Sequence, residues 1–454
     1  MRQVQALIFE VSKQLFNQSR RTTADANQGD NMTTYAISQQ PSPTTRLTMR
    51  QRAPALAAKL VMAAATGLLA LGSHAQESPQ DGVYKDRIDW GLLMDLSGPT
   101  SASQGVWVNG FQDYMRKINE AGGINGRKIN VLAEDNRFNA ATDKIAFEKL
   151  VGQTPVIAIS GMGSSGSQVG LAPTIKAGKV PIVGTYTATK ALSEPVSPMV
   201  YNGFCGYQQM AQAGVGYYVD NLKLKAPKVV TVAIESAGGK EYHDYVAEAV
   251  AKLGGTATHI TMKVTAVDVT PQVLEIMAQK PDFITIYGVS NTAILTMKAL
   301  QQYGLKTPAF GITYLGAPAI FSAMGEQAGA NYNFISCFTP GGSDQSSGNR
   351  ELSAYADKIG RSAMKEDINY VSGWITGQMA AESLAKLGNA PTRAKLVDLL
   401  SKGFTVDSKG LAAPIVYTPT NNTGPVVFKL FGYDYAAKKF KAYGDFADYA
   451  KYTR

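Results

Sequence analysis

Cysteine and histidine are nearly missing from these 454 residues, with two of the first and three of the second. A zinc cluster needs more thiolate or imidazole ligands at closer spacing, so a metal centre is not expected. A Ser-His-Asp or Cys-His catalytic site would have to use His243 or His259, and neither stands in a nucleophile-elbow context. His259 lies in the alternating strand "THITMKV" and reads as a strand-face residue; His243, in "KEYHDYV", reads as part of a solvated helix face. The glycine fingerprints of phosphate binding are missing too. The first strand–loop–helix unit, "GLLMDLSGPTSASQG" at Gly91–Gly105, carries neither GxGxxG nor GxxxxGK[ST]. No Lys/Arg cluster is interleaved with aromatics, which argues against nucleic acid. Beyond residue 75 no apolar run is long enough to span a bilayer. No enzyme activity and no cofactor are expected.

What is present is the composition of a folded chain of two lobes: 45% hydrophobic and 17% charged residues, with 44 glycines that follow no fixed period. From Met49 the chain reads "MRQRAPALAAKLVMAAATGLLALGSHAQ". Arg50, Arg52 and Lys59 precede the apolar run Leu60–Gly72, and Ser73 and Ala75 are small residues flanking a cleavage point. That order is a secretory signal peptide at residues 49–75, cut after Ala75. Residues 1–48 then read as a leader ahead of the true start at Met49, or as a disordered segment. The first 75 residues hold 8 of the 44 Lys/Arg and 3 of the 35 Asp/Glu, so the remaining chain carries a net charge of +4 rather than +9.

The mature chain alternates strand and helix signals. Ile88–Met94 is an apolar strand, and Val106–Ala121 has helical spacing through Phe111, Tyr114, Met115 and Ile118. Gly122 and Gly123 stop that helix, and Asn125-Gly126 turns the chain into strand Lys128–Glu134. A second such series opens near Tyr207. Both predict mostly parallel sheets wound with helices on both faces.

Several stretches then resemble one family. "DLSGPTSASQG", "INEAGGINGRKINV", "DFITIYGVSNTAILTMKALQQYGLKTP" and "YTPTNNTGPVVF" are similar to segments of the leucine/isoleucine/valine-binding proteins, the type I periplasmic solute receptors of ABC importers. The likeness spans nearly all of Arg87–Lys441. It implies an α/β fold of two doubly wound parallel-sheet lobes joined by three crossover hinge segments, near Asn202–Tyr207, Ser336–Gly341 and Thr418–Gly424. Lobe one would comprise residues 86–204 and 340–418, and lobe two residues 207–337 and 424–454. Cys205 and Cys337 would fall on neighbouring crossings, which raises the chance of a hinge disulfide, with two free thiols as the alternative.

The resemblance also implies the site. Open parallel sheets bind ligands beyond the carboxyl ends of their strands. There Ser165, with Ser164 and Gly166 beside it, would hold a ligand carboxylate, while Ser103 and Gln104 of the opening loop reach the solute. Tyr186, Thr187, Ala188 and Thr189 match the segment that contacts an amino-acid head group, in a register uncertain by a residue or two. In the opposite lobe the family's acidic partner for an ammonium is replaced, at the matching position, by Thr313 followed by Tyr314. Glu235 is the substitute acid, or else an exposed loop residue. Tyr287, Trp107 and Trp374 are further aromatic walls, or core. The expected protein is a monomeric, periplasmic receptor that passes a small carboxylate-bearing compound, aromatic or not, to an ABC permease and ATPase complex. The alternatives are a branched-chain or other amino-acid receptor of the same type and a free-standing ligand sensor.

Overall fold

The computed structural model describes residues 77–187 and 189–447. The expected leader, the signal peptide with its cleavage point, and Ala188 lie outside the described residues. Lobe one opens with β1 (Arg87–Met94), α1 (Ser101–Glu120), β2 (Lys128–Asp135), α2 (Ala140–Glu148), β3 (Ile159–Gly161), α3 (Ser165–Lys176), β4 (Ile182–Thr185), α4 (Lys190–Ser193) and β5 (Val200–Tyr201). Its five strands lie in the order β2-β1-β3-β4-β5, every pair parallel. β1 reads RIDWGLLM and is buried at every residue but the first, because helices cover both faces of a parallel sheet.

Lobe two follows with α5 (Tyr207–Leu222), β6 (Lys228–Ile234), α6 (Ala237–Ala251), β7 (Thr256–Met262), α7 (Thr270–Gln279), β8 (Phe283–Tyr287), α8 (Ser290–Gln302), β9 (Ala309–Gly311), α9 (Pro318–Met324), α10 (Glu326–Gly329) and β10 (Tyr332–Ser336). The chain then returns to lobe one for α11 (Ser347–Lys358), α12 (Ile368–Lys386), α13 (Arg393–Lys402) and the pair β11 (Phe404–Val406) and β12 (Ile415–Tyr417). It ends in lobe two with β13 (Phe428–Asp434) and β14 (Lys439–Ala447), which add antiparallel strands to a sheet ordered β14-β13-β10-β9-β8-β6-β7. The backbone therefore passes between the sheets three times, after β5, after β10 and after β12.

The returning helix α12 is buried almost throughout and packs along α1. Their backbones touch through glycine. A Cβ on Gly373 would lie 2.0 Å from the Trp107 carbonyl oxygen, and one on Gly110 would lie 2.1 Å from that of Tyr370. This close approach fixes the start of α12, where Asn369 accepts from the Tyr186 hydroxyl at 2.8 Å and donates to the Tyr314 carbonyl at 3.2 Å. Trp107 and Trp374 belong to the same packing and are core: Trp107 stacks on Phe111 with centroids 5.8 Å apart, and Tyr114 meets Trp374 edge-on at 4.9 Å.

His243 on α6 and His259 on β7 stack with ring centroids 4.4 Å apart, so His243 is not simply a solvated helix residue. Burial first, and then repulsion from the neighbouring ring, hold His243 down at about 4. The unfolded chain, with an ordinary imidazole, binds a proton first as pH falls below about 6.5, so stability is lost between there and pH 4. After discounting for the half-exposed ring, about 1 kcal/mol should be gone by roughly pH 5. Urea unfolding of wild type and His243→Gln at both pH values checks this: the variant should lose less on acidification, and equal losses would contradict the assignment.

Candidate functional site

The carboxyl ends of the strands in both lobes face one cavity of about 400 Å3, counting its mouth. Four helices begin at its wall. Thr100 stands at the N-terminal boundary of α1, Gly163 and Ser165 flank the start of α3, Ser236 caps α6 with its side chain, and Val289 stands at the N-terminal boundary of α8. The first turns of helices carry unpaired N–H groups and the positive ends of their dipoles. Among the described residues no charged side chain lines the cavity. The backbone supplies a positive field at this wall, while the buried Asp95 carboxylate behind it accepts from the Thr100 N–H at 2.8 Å and the Thr100 hydroxyl at 2.6 Å.

Ring surface forms the rest of the wall, from Phe138, Tyr186, Tyr287 and Tyr314, with Ile234 and Val289. The tyrosine hydroxyls are already engaged within the protein. Tyr186 donates to Asn369 Oδ1 at 2.8 Å, Tyr287 to the Tyr207 hydroxyl at 2.9 Å, and Tyr314 to the Tyr186 carbonyl at 2.9 Å. Burial pushes all three phenols up, so they stay neutral.

The lobes meet across this space. The Gly238 N–H of α6 donates to Ser165 Oγ of α3 at 2.9 Å. Glu241, also on α6, accepts from the Thr189 hydroxyl at 2.5 Å and from the Lys190 N–H at 2.9 Å. These bonds and the Tyr314–Tyr186 contact describe a closed arrangement. A second void of about 390 Å3 lies on the hinge side, bordered by Glu241, Lys190, Glu194, Tyr207 and Tyr245.

Of the residues expected from sequence, Ser103, Gln104, Ser165, Tyr186, Thr187, Tyr287 and Tyr314 border the cavity. Gln104 does so with its amide occupied: it accepts from Asp95 N–H at 2.8 Å and donates to Thr100 Oγ1 at 2.8 Å and to the Gly163 carbonyl at 2.9 Å. It ties the loop after β1 to the loop after β3, and its side chain offers no free polar atom through those bonds. Ser164 spends its hydroxyl as the cap of α3, accepting from Ser167 N–H, and Gly166 is exposed one position further along. Thr189 serves the Glu241 bond rather than the cavity.

Glu235 and Thr313, like Ser164, Gly166 and Thr189, stand outside the cavity lining. Glu235 is exposed and does not line the cavity, because strand alternation turns Ile234 inward and the next side chain out. Thr313 is fully buried behind the wall, where its hydroxyl donates to the Ile335 carbonyl at 2.9 Å and lies 3.4 Å from Cys205 Sγ. The short 3-10 turn Thr313–Leu315 presents Tyr314 to the cavity instead. Sequence reading missed Phe138, Ser236 and Val289. Ser236 and Val289 follow the ends of β6 and β8, and the strand-end rule applied to every strand would have found them. Behind the site Cys205 and Cys337 form a disulfide between the first and second crossings.

Among the described residues no helix is long and apolar enough to cross a membrane, and no group of three or more His, Cys, Asp or Glu is placed to hold a metal ion.

A family model described as "Periplasmic binding protein" matches residues 88–434. No curated protein matches the chain in sequence. Among solved structures, the chain is similar to a fatty acid ABC transporter substrate-binding protein from Thermomonospora curvata, with TM-score 0.73 and 20% identity over 83% of this chain and 96% of that one. It is also similar to a branched chain amino acid ABC transporter protein from Thermus thermophilus with bound valine, with TM-score 0.72 and 18% identity over 81% and 98% of the two chains. A leucine binding protein from Thermotoga maritima gives TM-score 0.69 and 16% identity over 80% and 99%.

Proposed function

The chain belongs to the periplasmic binding protein family, and from that premise we propose that it is the extracytoplasmic receptor of an ABC importer, holding a small carboxylate-bearing compound between its lobes. The observation that carries this reading is the meeting of four helix N-termini at a cavity without a charged side chain. Such a wall favours an anion. It offers nothing to pair an ammonium, whose burial without a counter-charge is costly. The acids around the cleft are engaged within the protein or turned to solvent: Asp95 accepts from Gly98 and Thr100, Glu241 is held by Thr189 and Lys190, and Glu235 faces solvent. The ligands named for the two structural relatives, a fatty acid and valine, share a carboxylate and differ in the ammonium.

In this reading the protein makes and breaks no bond. The ligand shifts an open–closed equilibrium, and a permease and ATPase complex recognises the closed monomer. The signal peptide at residues 49–75 delivers the chain to the periplasm.

Thermal unfolding of the mature chain with benzoate, butanoate, benzamide, leucine and valine tests the proposal, because a ligand raises the midpoint by mass action. One or both of the simple carboxylates should raise it, with benzamide inert. A rise confined to leucine and valine would replace the proposal by an amino-acid receptor. Failure of both simple carboxylates to raise it would remove the carboxylate reading.

A further inference from the structure

Phe138 sits on the loop between β2 and α2, and its ring borders the cavity. The backbone that puts it there is unusual: Arg137 and Phe138 are consecutive left-handed residues, with φ of 53° and 54°, and neither is glycine. Left-handed backbone is unfavourable for residues with a Cβ and persists where its surroundings over-determine it. Here they do. Asp135 Oδ1 accepts from Arg137 N–H at 3.0 Å, and Asn136 Oδ1 accepts from Phe138 N–H at 2.9 Å. Asn136 is itself fully buried, and its amide donates to Asp143 Oδ1 at 2.9 Å. Asn139 then caps α2 by accepting from the N–H groups of Ala141 and Thr142. Four polar side chains thus hold two strained residues in place. The Arg137 side chain is left 72% exposed, while Phe138 is half-buried, packed against the core where it borders the cleft.

Among the described residues, the aromatic contacts of the wall pair Tyr186, Tyr287 and Tyr314 with other rings of the protein, and none includes Phe138. With the tyrosine hydroxyls bonded internally, the wall gives a ligand body ring surface rather than polar partners. We propose that Phe138 is a specificity-determining residue, which selects carboxylates with a ring-bearing body by packing its own ring against the ligand's. This rests on the carboxylate reading of the site. The four helix N-termini take the carboxylate, and Phe138 reads what is attached to it. An aromatic pair gains beyond what apolar area alone supplies, which is why an aliphatic body of similar burial gains less here.

Calorimetric titration of benzoate and butanoate into wild type, Phe138→Leu and Phe138→Ala tests this. Wild type should prefer benzoate. Phe138→Leu keeps apolar bulk without a ring, and should weaken benzoate about five- to tenfold while leaving butanoate within about twofold. Phe138→Ala should weaken benzoate further. Unliganded unfolding midpoints near wild type show that the loop is intact in the variants. Unchanged benzoate affinity in Phe138→Leu, or equal losses for both acids, overturns the role given to Phe138. Wild type that binds butanoate and not benzoate overturns ring selection and leaves the carboxylate reading standing. Wild type that binds neither overturns both.

Discussion

Replacing Cys205 and Cys337 together by serine is expected to lower the unfolding midpoint by about 3–7 °C. The two cysteines are 132 residues apart and join the first interlobe crossing to the second, enclosing most of lobe two in one covalent loop. Cutting so long a loop restores much conformational freedom to the unfolded chain. The chain-entropy account puts the effect near 5 kcal/mol at its upper end, with about 2 kcal/mol as the usual lower bound. Burial adds to it, because both sulfurs are fully enclosed and Cys205 Sγ touches the Thr313 hydroxyl. The comparison is thermal unfolding of wild type and the double variant, each with and without reductant. Reductant should move only the wild type. Equal midpoints, or two free thiols on non-reducing peptide mapping, would show that the crossings are not held this way.

Glu241→Ala should weaken ligand binding about tenfold or more, through closure rather than through contact. Glu241 does not line the ligand cavity; it bonds lobe two to Thr189 and Lys190 of lobe one. Burial is the largest influence on its carboxyl and raises its pKa, offset in part by those two bonds and by the Lys190 charge, while the Glu194 charge raises it further. When the lobes part, the group returns to water and to the ordinary carboxylate range. Closing therefore raises the pKa, and the gain from proton uptake is lost as pH rises through the closed-state value. Wild-type affinity for a bound carboxylate should thus tighten as pH falls from neutrality toward the ordinary carboxylate range, a window above the ligand's own titration. Glu241→Gln, which keeps an acceptor oxygen without the charge, should bind with a flatter pH profile. Titrations of the three proteins across that window decide the matter. A Glu241→Ala protein with wild-type affinity would mean that these bonds do not control closure.

The alternation of strands and helices was legible because its signals are local: apolar runs for buried parallel strands, helical spacing between them, and glycine pairs where helices stop. The loops that make the site were legible for a related reason. Parallel strands of one sheet all point the same way, so the residues after β1, β3 and β4 must gather at one edge, and Ser103, Ser165, Tyr186 and Thr187 do so, while Tyr287 ends β8 at the carboxyl edge of the lobe-two sheet. Side-chain direction at the lobe-two wall was not legible. Glu235 is one residue from Ile234, and a single step along a strand exchanges the inside for the outside. Thr313 and Tyr314 differ by one position in a 3-10 turn, which turns the first toward Cys205 and the second toward the cavity. Phe138 escaped notice because "DNRFN" reads as an ordinary polar loop. Its left-handed backbone depends on bonds to Asn136 and, through it, to Asp143.

By itself the sequence determined the class of molecule: two α/β lobes, with loops rich in small polar residues at the strand ends. Periodicity and composition carry that information, and both are properties of neighbours along the chain. The tertiary structure decided which groups face one another. It brought Gly238 to Ser165 and Glu241 to Thr189, spent the Gln104 amide on joining loops, and left the cavity without a charged side chain among the described residues. Those pairings span 52 to 73 residues of sequence. The Gly238–Ser165 and Glu241–Thr189 pairings arise where the lobes close on each other, and no local pattern encodes the register of that closure.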